Sequence, residues 1–465
     1  MAEMIKGFVV AGPASGVGKT TVTLALMAAF RKRGLQVQPF KCGPDFVDAG
    51  HHTRACGRSS RNLDGWMLPD GRNRDVFHRH AAGADICIVE GVMGLFDGAS
   101  GKSDVGSTAE MAKLLGLPVI LVVDASSLAR SVAALVHGFE TFDPEVKVLG
   151  VIFNKVAGHT HYALLRDAIE SACGAPPLGY LPRDQRIQIP ERYLGLFTAG
   201  EGLLPDSSLA LLAGIAEEHI DLEKLLGSAA SFAAPSTDGH SAPVSPSVGI
   251  GIARDRAFCF YYDDNLDALQ AAGAEIVEFS PLTDTALPAS LDALYFGGGY
   301  PELYASQLST NEEMISSVKK FADEGGAIYA ECGGLMYLAH KIVTRDGKGF
   351  PMAGILPLSV QMTDRLVNFG YAEICLAEDC LWGAAGTHAR GHSFHCSTIT
   401  EPGPMDQTYR VSYTLARREE SEGFHIKNVL ASYIHLHFLS CPDLAATFVQ
   451  NVQRAKQKKF SRVAE

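Results

Sequence analysis

One cysteine of the chain, Cys332, lies in the segment "GAIYAECGGLMYL", between an apolar β-like run and two glycines. A strand that ends in a sharp glycine turn before a helix is the layout of a nucleophile elbow, here with a thiol in place of a hydroxyl. The N-terminus of a helix lowers the pKa of a thiol, and small neighbours leave the sulfur accessible. The pattern therefore predicts a nucleophile at Cys332. The alternative is a small buried thiol, which describes most protein cysteines.

A thiol nucleophile needs a base for its proton and donors for the oxyanion that forms on its substrate. The segment "ASYIHLHF" offers His435 and His437, which lie two apart and would share one face of a strand. We expect His435 to be the base, with His437 as the alternative. The segment "FGGGYPE" ends an earlier strand with glycines whose N–H groups no side chain obstructs. The predicted oxyanion hole consists of Gly298, Gly299 and Gly333.

The segment "AGPASGVGKTT" follows the first predicted strand and precedes the first predicted helix, as a phosphate-binding P-loop requires. Backbone N–H groups in such a loop point toward bound phosphate. Lys19 should reach the β- and γ-phosphates of ATP, and the hydroxyl of Thr20 should help to hold Mg²⁺. Pro13 stands where the first glycine of the usual spacing would fall. The predicted nucleotide-binding residues are Gly16, Gly18, Lys19, Thr20, Thr21 and Asn154, the last as an amide that reads the base.

Charged residues follow the second and third predicted strands, at the sheet edge where ligands gather in open α/β folds. The segment "KCGPDFVD" contains Lys41, Asp45 and Asp48, and "IVEGVMGLFDG" contains Glu90 and Asp97. Carboxylates in such positions hold Mg²⁺ or position a nucleophile, although each one alone could equally cap a helix. We predict a Mg²⁺ site formed by Thr20, Asp45 and Glu90. The predicted contacts to the acceptor substrate in this region are Lys41, Asp48 and Asp97.

Two stretches of the chain must position these groups, and both alternate apolar β-rich runs with helix-period segments. The first stretch contains the runs "IKGFVVAG", "LQVQPFKC", "ADICIVEG", "PVILVVDA" and "VLGVIFNK". The second contains "VGIGIARD", "AEIVEFSP", "ALYFGGGY" and "GAIYAECGG", followed by a strand-rich region at about residues 350–440. Continuous apolar strands between helices indicate parallel sheets covered on both faces, so the predicted fold class is α/β.

A segment rich in Ser, Ala, Pro and Gly separates the two stretches and has no hydrophobic periodicity. Such a composition is typical of a linker. The sequence therefore predicts two domains, residues 1–226 and 248–465, joined by a linker at residues 227–247. A chain of 465 residues is long enough to form two hydrophobic cores.

Composition excludes some broad classes of function. The chain has 40 basic and 52 acidic residues, a net charge of −12, which argues against nucleic acid or an anionic membrane as the main partner. Its longest apolar stretch, "GLPVILVVDAS", is too short to span a membrane, and the N-terminus breaks too early for a secretory signal. Ten cysteines without a CxxC pair do not form a disulfide pattern. We therefore expect a cytoplasmic protein.

The segments that carry the two candidate sites together resemble one known family. "AECGGLMYL", "GGGYPE" and "SYIHLHF" resemble the class I glutamine amidotransferase domain of the cobyrinic acid a,c-diamide synthases, a domain with a flavodoxin-like fold. "AGPASGVGKTT", "KCGPDFVD", "NLDGWM" and "VEGVMGLFDG" resemble the P-loop synthetase domain of the same enzymes, which is similar to dethiobiotin synthetase. The resemblance covers essentially the whole chain, in the domain order of the family.

This resemblance implies an ATP- and glutamine-dependent ligase that acts on cobyrinate or hydrogenobyrinate in cobalamin biosynthesis. Mg²⁺ and ATP would convert a side-chain carboxylate of the corrin into an acyl phosphate, and Cys332 would release ammonia from glutamine. Ammonia would then displace phosphate to give the amides at positions a and c. The implied partners are small molecules, namely the corrin, glutamine and ATP, and the oligomeric state is left open, a homodimer included. In "GTHARGHSFH", the resemblance favours Arg390 as a contact to substrate carboxylates over a histidine metal site.

The resemblance leaves a third catalytic residue and the substrate open. Class I amidotransferases commonly carry a glutamate two residues after the histidine, but His437 holds that place here. The cobyrinate branch is similar in using cysteine and histidine without that glutamate. A nickel-sirohydrochlorin a,c-diamide synthase would share the chemistry, and a partitioning-type P-loop ATPase would lack the amidotransferase activity. His51 and His52 lie either near the acceptor or on an ordinary helix surface.

Overall fold

The computed structural model describes residues 4–189, 191–192, 195–196, 204–233, 246–414 and 418–464. The chain forms two compact units, Met1–His240 and Ser241–Glu465. This division falls inside the predicted linker, residues 227–247. The first residues of that segment end a helix and form a short strand of the first unit, whereas residues 234–245 of the linker lie outside the described residues.

The first unit contains a mainly parallel eight-stranded sheet and, in addition, a separate sheet of two short strands. Its strands are β1 (Met4–Ala11), β2 (Val37–Cys42), β3 (Arg61–Leu63), β4 (Ile86–Glu90), β5 (Val119–Asp124), β6 (Val148–Val156), β7 (Pro177–Pro182), β8 (Glu191–Arg192), β9 (Gly195–Leu196) and β10 (Ala230–Ala233). Its helices are α1 (Lys19–Lys32), α2 (Phe46–Cys56), α3 (Asp70–Ala81), α4 (Thr108–Leu115), α5 (Ser131–Phe142), α6 (His159–Ala172), α7 (Asp206–His219) and α8 (Leu222–Ser228). Seven strands run parallel in the order β3-β2-β4-β1-β5-β6-β7, and β10 pairs antiparallel with the start of β1. The predicted α/β fold is thus confirmed for this unit.

The strand order explains how the first candidate site is assembled. All five strands predicted here are confirmed, as β1, β2, β4, β5 and β6. Strands β2, β4 and β1 are neighbours and parallel, so the segments after their carboxyl ends share one edge of the sheet. Three strands of the main sheet were not predicted: β3 is three residues long, β7 begins and ends with proline, and β10 lies in the predicted linker. The two-residue strands β8 and β9, which pair with each other, were not predicted either.

Helix α1 follows the P-loop and is held on almost every side. The residues from Val22 to Phe30 are all buried, in one core cluster with side chains of the sheet and of α7. The sequence "VTLALMAAF" is accordingly apolar around the whole helix, which is typical of a helix enclosed in a core. The start of α1, where phosphate is expected, therefore rests on a rigid support.

The second unit combines a parallel half with an antiparallel half. Its strands are β11 (Val248–Ala253), β12 (Ala274–Phe279), β13 (Ala293–Phe296), β14 (Ala327–Glu331), β15 (Lys341–Val343), β16 (Gly349–Pro351), β17 (Ser359–Met362), β18 (Asn368–Leu376), β19 (His388–His395), β20 (Ser397–Thr400), β21 (Asp406–Tyr413), β22 (Arg418–Ile426), β23 (Val429–Ser432) and β24 (His435–Leu436). Its helices are α9 (Asp263–Ala271), α10 (Ala305–Thr310), α11 (Glu312–Asp323), α12 (Gly333–Leu338) and α13 (Leu444–Ala464). The main sheet has the order β12-β11-β13-β14-β23-β22-β21-β18-β19-β24, with its first five strands parallel, and a smaller sheet has the order β16-β15-β17-β20. The four predicted strands and the strand-rich later region are confirmed.

Helix α12 is shorter than the sequence indicates. The segment "LMYLAHKI" predicts a helix that continues beyond residue 340, but α12 ends at Leu338 and β15 begins at Lys341. The reason lies in residues 353–356, which come after β16 and whose backbone N–H groups donate to the last carbonyls of α12. Ala353 N donates to Tyr337 O at 3.0 Å, and Leu356 N donates to Leu338 O at 2.9 Å. These bonds end the helix by taking the carbonyls that a further turn would use.

The longest helix, α13, is amphipathic. Its apolar residues Leu444, Phe448 and Val452 are four apart and pack into a core cluster of the second unit, while lysines and arginines follow later in its sequence. Among the described helices, none combines the length and the apolar character that crossing a membrane requires.

Candidate active sites

The P-loop has the backbone conformation that phosphate binding needs. Gly16 and Gly18 adopt φ angles of 77° and 92°, in the left-handed region that glycine enters without strain. Gly18 is the N-cap of α1, so the N–H groups of Lys19, Thr20 and Thr21 have no partner within the helix. These donors and the helix dipole favour an anion at this point.

The missing glycine of the motif is replaced by its neighbour. A Cβ atom on Gly12 would lie 2.5 Å from the Val17 side chain and 3.0 Å from Val122 O. Only glycine fits this close approach. The usual spacing of the motif places that glycine at position 13, but here Pro13 takes that position and the glycine is residue 12. The departure from the motif is therefore a shift by one position. The signal was present in the sequence as Gly12 but fell outside the expected spacing.

Lys19 carries the positive charge of the loop. Its Nζ donates to Ala14 O at 2.9 Å, so the side chain folds back along the loop. Burial, followed by repulsion from Lys41, lowers the pKa of Lys19 to about 8, while nearby carboxylates oppose this shift. Lys19 thus remains mostly protonated at neutral pH and can meet phosphate oxygens.

Two carboxylates and a lysine meet beside Thr20. Thr20 Oγ1 donates to Glu90 Oε1 at 2.7 Å and lies 3.4 Å from Asp48 Oδ2. Lys41 Nζ lies 3.0 Å and 2.6 Å from the same two oxygens. Burial alone would raise the pKa of Glu90, but the charges of Lys41 and His52 lower it. Burial opposes the charge of Lys41, but Asp48 and Glu90 raise the pKa of Lys41. The result is a buried cluster of compensated charges.

The two aspartates after β2 differ in which of them faces the P-loop hydroxyl. Asp45 was predicted as a Mg²⁺ ligand, but its Oδ1 accepts from the N–H groups of Val47 and Asp48 at 2.9 Å each, as the N-cap of α2. Asp48, predicted as a substrate contact, is the aspartate that faces Thr20. Burial and the charge of Asp45 raise the pKa of Asp48. The geometry therefore favours Asp48 over Asp45 beside the P-loop hydroxyl.

Helix α2 adds a histidine to this cluster. His52 Nε2 lies 2.6 Å from Glu90 Oε2, and His51 is buried as well, so the alternative of an ordinary helix surface is wrong for both. His52 lies four residues after Asp48, which is the spacing that places two side chains on one helix face. That spacing was the signal available in the sequence. Lys41 is also fully enclosed, so its predicted contact with substrate stays a prediction.

Asp97 approaches the phosphate loop from the segment after β4. Its Oδ2 accepts from Gly94 N at 2.8 Å, and its carboxylate acts on the charge of Lys19. A Cβ atom on Gly94 would lie 2.8 Å from Pro13 O, so this segment packs closely on the P-loop. The structure thus brings Asp97 to the candidate site, where its contact with substrate stays a prediction.

Asn154 supports the loop from the end of β6. Its Nδ2 donates to Val17 O at 3.0 Å, and its Oδ1 accepts from Lys155 N at 2.9 Å. A Cβ atom on Gly18 would overlap this amide, so Asn154 can occupy its position only because residue 18 is glycine. Both polar atoms of the amide are bonded to backbone, which gives Asn154 a supporting position. Its contact with a base stays a prediction.

In the second unit, Cys332 occupies a strained turn between β14 and α12. Its φ of 46° and ψ of −100° are unusual for a residue with a side chain, and its N–H donates to Ser432 O at 2.7 Å. A Cβ atom on Gly334 would overlap Phe296 O, so the helix can pack on β13 only with glycine there. The predicted strand–turn–helix geometry is present. The neighbouring strand holds the turn in a conformation that presents the thiol.

His435 is the histidine that pairs with Cys332. Burial alone would lower its pKa, but a hydrogen bond with the Cys332 side chain, and after it the interaction with Glu331, raise the pKa of His435 to about 9. Its ring stacks on His392 with centroids 4.9 Å apart. At neutral pH the imidazole is therefore protonated, and it supplies the positive charge that accompanies a thiolate nucleophile.

His437 has a different environment. β24 ends at Leu436, and His437 precedes a 3-10 helix at Phe438–Ser440. Its ring stacks on Tyr262 with centroids 4.5 Å apart, and burial lowers the pKa of His437 to about 4. Within the residues that the structure describes, neither ring nitrogen of His437 has a hydrogen-bond partner. The geometry therefore favours His435 as the base.

The glycines of "FGGGYPE" divide into two roles. The N–H of Gly298 donates to Phe260 O at 3.2 Å, so its assignment to the oxyanion hole is wrong. A Cβ atom on Gly298 would overlap the imidazole of His435, so this glycine makes room for the base. Gly299 N lies 3.0 Å from the position that a Cβ atom on Gly333 would take. Gly299 and Gly333 thus place two backbone N–H groups close together beside Cys332.

Arg390 lies on β19 and forms an ion pair on the sheet. Its Nε donates to Glu373 Oε2 at 2.7 Å on the paired strand β18. The histidines of the same strand have separate partners, since His392 bonds with Tyr262 and His395 stacks on Tyr433. This described strand therefore gives no support to a histidine metal site. A contact between Arg390 and substrate stays a prediction.

The two sites define a class of protein that joins a P-loop nucleotide-binding unit to a class I glutamine amidotransferase unit. Comparison with known families agrees with this class. Residues 8–196 match the family described as "CobQ/CobB/MinD/ParA nucleotide binding domain". Residues 249–442 match the family described as "CobB/CobQ-like glutamine amidotransferase domain".

Three relatives extend this similarity over nearly the whole chain. A cobyrinate a,c-diamide synthase of Syntrophotalea carbinolica is 47% identical over 449 residues, which cover 95% of this chain and 97% of the relative. The enzyme of the same name from Salmonella typhimurium is 43% identical, over 98% of this chain and 100% of the relative. That from Dehalococcoides mccartyi is 42% identical, over 95% and 97%. The chain therefore belongs to the cobyrinate a,c-diamide synthase family.

Proposed function

We propose that this protein uses ATP and glutamine to convert the a and c side-chain carboxylates of cobyrinic acid into amides, as a step of cobalamin biosynthesis. One observation carries the proposal: a single chain holds the Cys332–His435 pair at an elbow and a P-loop with Lys19. A source of ammonia and a site that phosphorylates a carboxylate are the two requirements of glutamine-dependent amidation. Relatives named for this reaction, at 42–47% identity, support the choice of substrate.

The second unit would release ammonia. The thiolate of Cys332 attacks the carboxamide carbon of glutamine, and the oxygen that gains negative charge accepts from the N–H groups of Gly299 and Gly333. His435 gives its proton to the nitrogen, ammonia leaves, and a γ-glutamyl thioester remains on the sulfur. Neutral His435 then takes a proton from water, whose oxygen displaces the thiolate and releases glutamate. A reduced thiol is essential here, so we place the protein in the reducing cytoplasm.

The first unit would activate the acceptor. A carboxylate oxygen of the corrin attacks the γ-phosphorus of ATP, ADP leaves, and an acyl phosphate forms. Lys19 and the N–H groups at the start of α1 bind the phosphate oxygens throughout. The nitrogen of ammonia then attacks the acyl carbon, the bond from that carbon to the phosphate oxygen breaks, and the departing phosphate takes the proton that the nitrogen loses, which leaves the amide. Excluding water favours both steps, because water hydrolyses acyl phosphates and ammonia is inactive once protonated.

The residues beside Thr20 fit a magnesium ion. The hydroxyl of Thr20 lies 2.7 Å and 3.4 Å from oxygens of Glu90 and Asp48, and such hard oxygen donors are the ligands that Mg²⁺ prefers. When bound, Mg²⁺ would neutralise charge on the phosphate oxygens. Lys41 contacts the same two oxygens and so holds the two carboxylates together, and His52 bonds to the other oxygen of Glu90.

The alternatives raised by the sequence are not favoured. A partitioning-type ATPase leaves residues 249–442 without a role, although they match an amidotransferase family. A nickel-sirohydrochlorin synthase would share the chemistry, but the relatives reported above carry the cobyrinate name.

Substrate choice is tested by offering cobyrinate and nickel-sirohydrochlorin separately, each with MgATP and glutamine, and by measuring product masses. We expect two carboxylates of cobyrinate to become amides, with one ATP and one glutamine consumed for each. A parallel reaction with ammonium chloride in place of glutamine controls for the acceptor site alone. Conversion of the nickel compound with cobyrinate left unchanged would contradict the proposal.

A further inference from the structure

A buried carboxylate faces His435 on the side away from Cys332. Glu331 ends β14 with 1% of its surface exposed, and its Oε2 lies 3.6 Å from His435 Nδ1. Since Nδ1 faces Glu331, Nε2 is the ring nitrogen that bonds with Cys332. The imidazole thus lies between a carboxylate and a thiol that are consecutive in sequence. The strained turn at Cys332 permits this, because it redirects the thiol away from the strand that carries the carboxylate.

Three hydrogen-bond donors hold this carboxylate. Tyr329 Oη and Leu436 N donate to Oε1 at 2.8 Å and 3.0 Å, and Tyr295 Oη donates to Oε2 at 2.8 Å. Burial, and after it the charge of Glu331, raise the pKa of both tyrosines well above the usual range, so both remain donors. The paired register of Tyr295 and Tyr329 on β13 and β14 brings the two hydroxyls to the same carboxylate. Glu331 therefore has little freedom to move.

Glu331 has a basic partner in His435. In the described part of the chain, His435 is the basic side chain within ion-pair distance of this carboxylate. A buried carboxylate is costly unless it is paired, so the arrangement stabilises the protonated imidazole. The bond from Leu436 N also fixes the backbone directly after His435. Glu331 thus restrains both the ring and the chain that carries it.

We propose that Glu331 is the positioning residue for His435 and completes a Cys–His–Glu triad, a role that rests on the proposed function of Cys332 and His435. The proton on Nδ1 points to Glu331, which leaves Nε2 to exchange protons with the thiol, the departing ammonia and water. The distance of 3.6 Å is slightly longer than a hydrogen bond, as is common for catalytic pairs before substrate binds. Position 437, where the family motif would place a glutamate, offers only a neutral imidazole stacked on Tyr262.

The test is Glu331→Gln in the full-length enzyme, with glutamate release as the readout. We expect the kcat for glutamine hydrolysis to fall about 10- to 100-fold, as is usual when a partner that orients a reacting imidazole is removed, with KM nearly unchanged. The loss of the carboxylate lowers the pKa of His435, so the alkaline limb of the pH–rate profile moves to lower pH. Amidation driven by ammonium chloride depends on the first unit, and we expect it to continue at the wild-type rate.

Each outcome decides the role of Glu331. Wild-type kcat, or a lower kcat with an unchanged alkaline limb, would overturn it, because the residue would then support only the local structure. If Glu331→Gln fails to fold and loses the ammonia-driven reaction too, Glu331→Asp decides, since it keeps the charge with a shorter reach. We expect Glu331→Asp to show a smaller shift of the same limb, and a wild-type profile would overturn the proposal. Absence of glutaminase activity in the wild-type enzyme would contradict the proposed function itself.

Discussion

Charged side chains crowd the phosphate site of the first unit, whereas the thiol site of the second has few charges and tight geometry. Lys41 bridges Asp48 and Glu90, and His52 bonds to the far oxygen of Glu90. Around Cys332 the decisive features are a strained φ of 46° and a glycine that makes room for His435. The first site has to bind a multiply charged nucleotide, and it contains several buried charged groups of both signs. The second acts on the uncharged carboxamide of glutamine and depends more on the shape of the site.

The comparison predicts that the two chemistries can be lost separately, and this is the largest expected effect. Cys332→Ser should lower glutamine hydrolysis by about 10⁴-fold or more, because the nucleophile is gone, while ammonia-driven amidation persists. Lys19→Ala should lower amidation with either nitrogen source by about 10²- to 10³-fold, because phosphate loses its cation, while glutaminase activity remains. Glutamate release and corrin mass measure the two activities. Parallel loss of both activities in either variant would contradict two separable sites.

A second prediction concerns the stored charge of the first unit. Glu90→Gln removes the carboxylate that pairs with Lys41 and His52, so the free energy of unfolding should fall by about 3 kcal/mol. Urea denaturation measures this loss, and ammonia-driven amidation should fall as well. The matched control is Glu217→Gln, which breaks the partly exposed pair with Arg33 and should cost under about 1 kcal/mol. Equal losses in the free energy of unfolding for the two variants would show that the buried cluster stabilises the fold no more than a partly exposed ion pair does.

The smallest expected effect concerns His437. Because neither ring nitrogen of His437 has a hydrogen-bond partner in the described part of the chain, His437→Phe should keep glutamine hydrolysis within about threefold of the wild type. Its folded pKa of about 4 lies below the usual 6.5, so it binds its proton more readily when unfolded. Its contribution to stability is therefore present above pH 6.5 and lost as the pH falls toward 4. The variant should show a flatter pH dependence of the urea midpoint over that range.

The contradicting results for His437 are equally distinct. A large loss of glutaminase activity in His437→Phe would assign catalysis to both histidines. An unchanged pH dependence of the midpoint would mean that His437 is not the buried neutral group described here. His395, at the end of β19, offers a comparison for the second point, because burial lowers the pKa of His395 to about 4 as well.

Backbone-determined features were predictable from the sequence. The P-loop and the elbow need glycine at special φ angles or close approaches, so Gly16, Gly18 and Gly334 leave a readable pattern. Five strands of the first unit and four of the second were likewise predictable, because each is a run of apolar residues. Strand β7 was not, because proline at both ends is typical of a turn.

Side-chain partnerships were harder to predict. Whether Asp45 or Asp48 faces Thr20 depends on where α2 begins, because the residue before the first turn becomes its cap. The role of Glu331 is not predictable from local sequence, because its partners Tyr295 and Leu436 lie far away in the chain and meet it only in the folded sheet. Local sequence patterns specify the conformation of the backbone. Which polar side chains then contact one another depends on strands and helices that are distant in sequence.

The glycine at position 298 matters for the interpretation of homologous sequences from other genomes. Even one methyl group at this position would overlap the imidazole of His435. A homologous chain that keeps the cysteine and the histidine but carries alanine or serine here would retain the motif and lose the base geometry. Automated assignment of glutaminase activity from the cysteine–histidine pair would then count inactive copies as active. We therefore expect glycine at position 298 to distinguish genes that encode an active amidotransferase from genes that keep only the cysteine and the histidine.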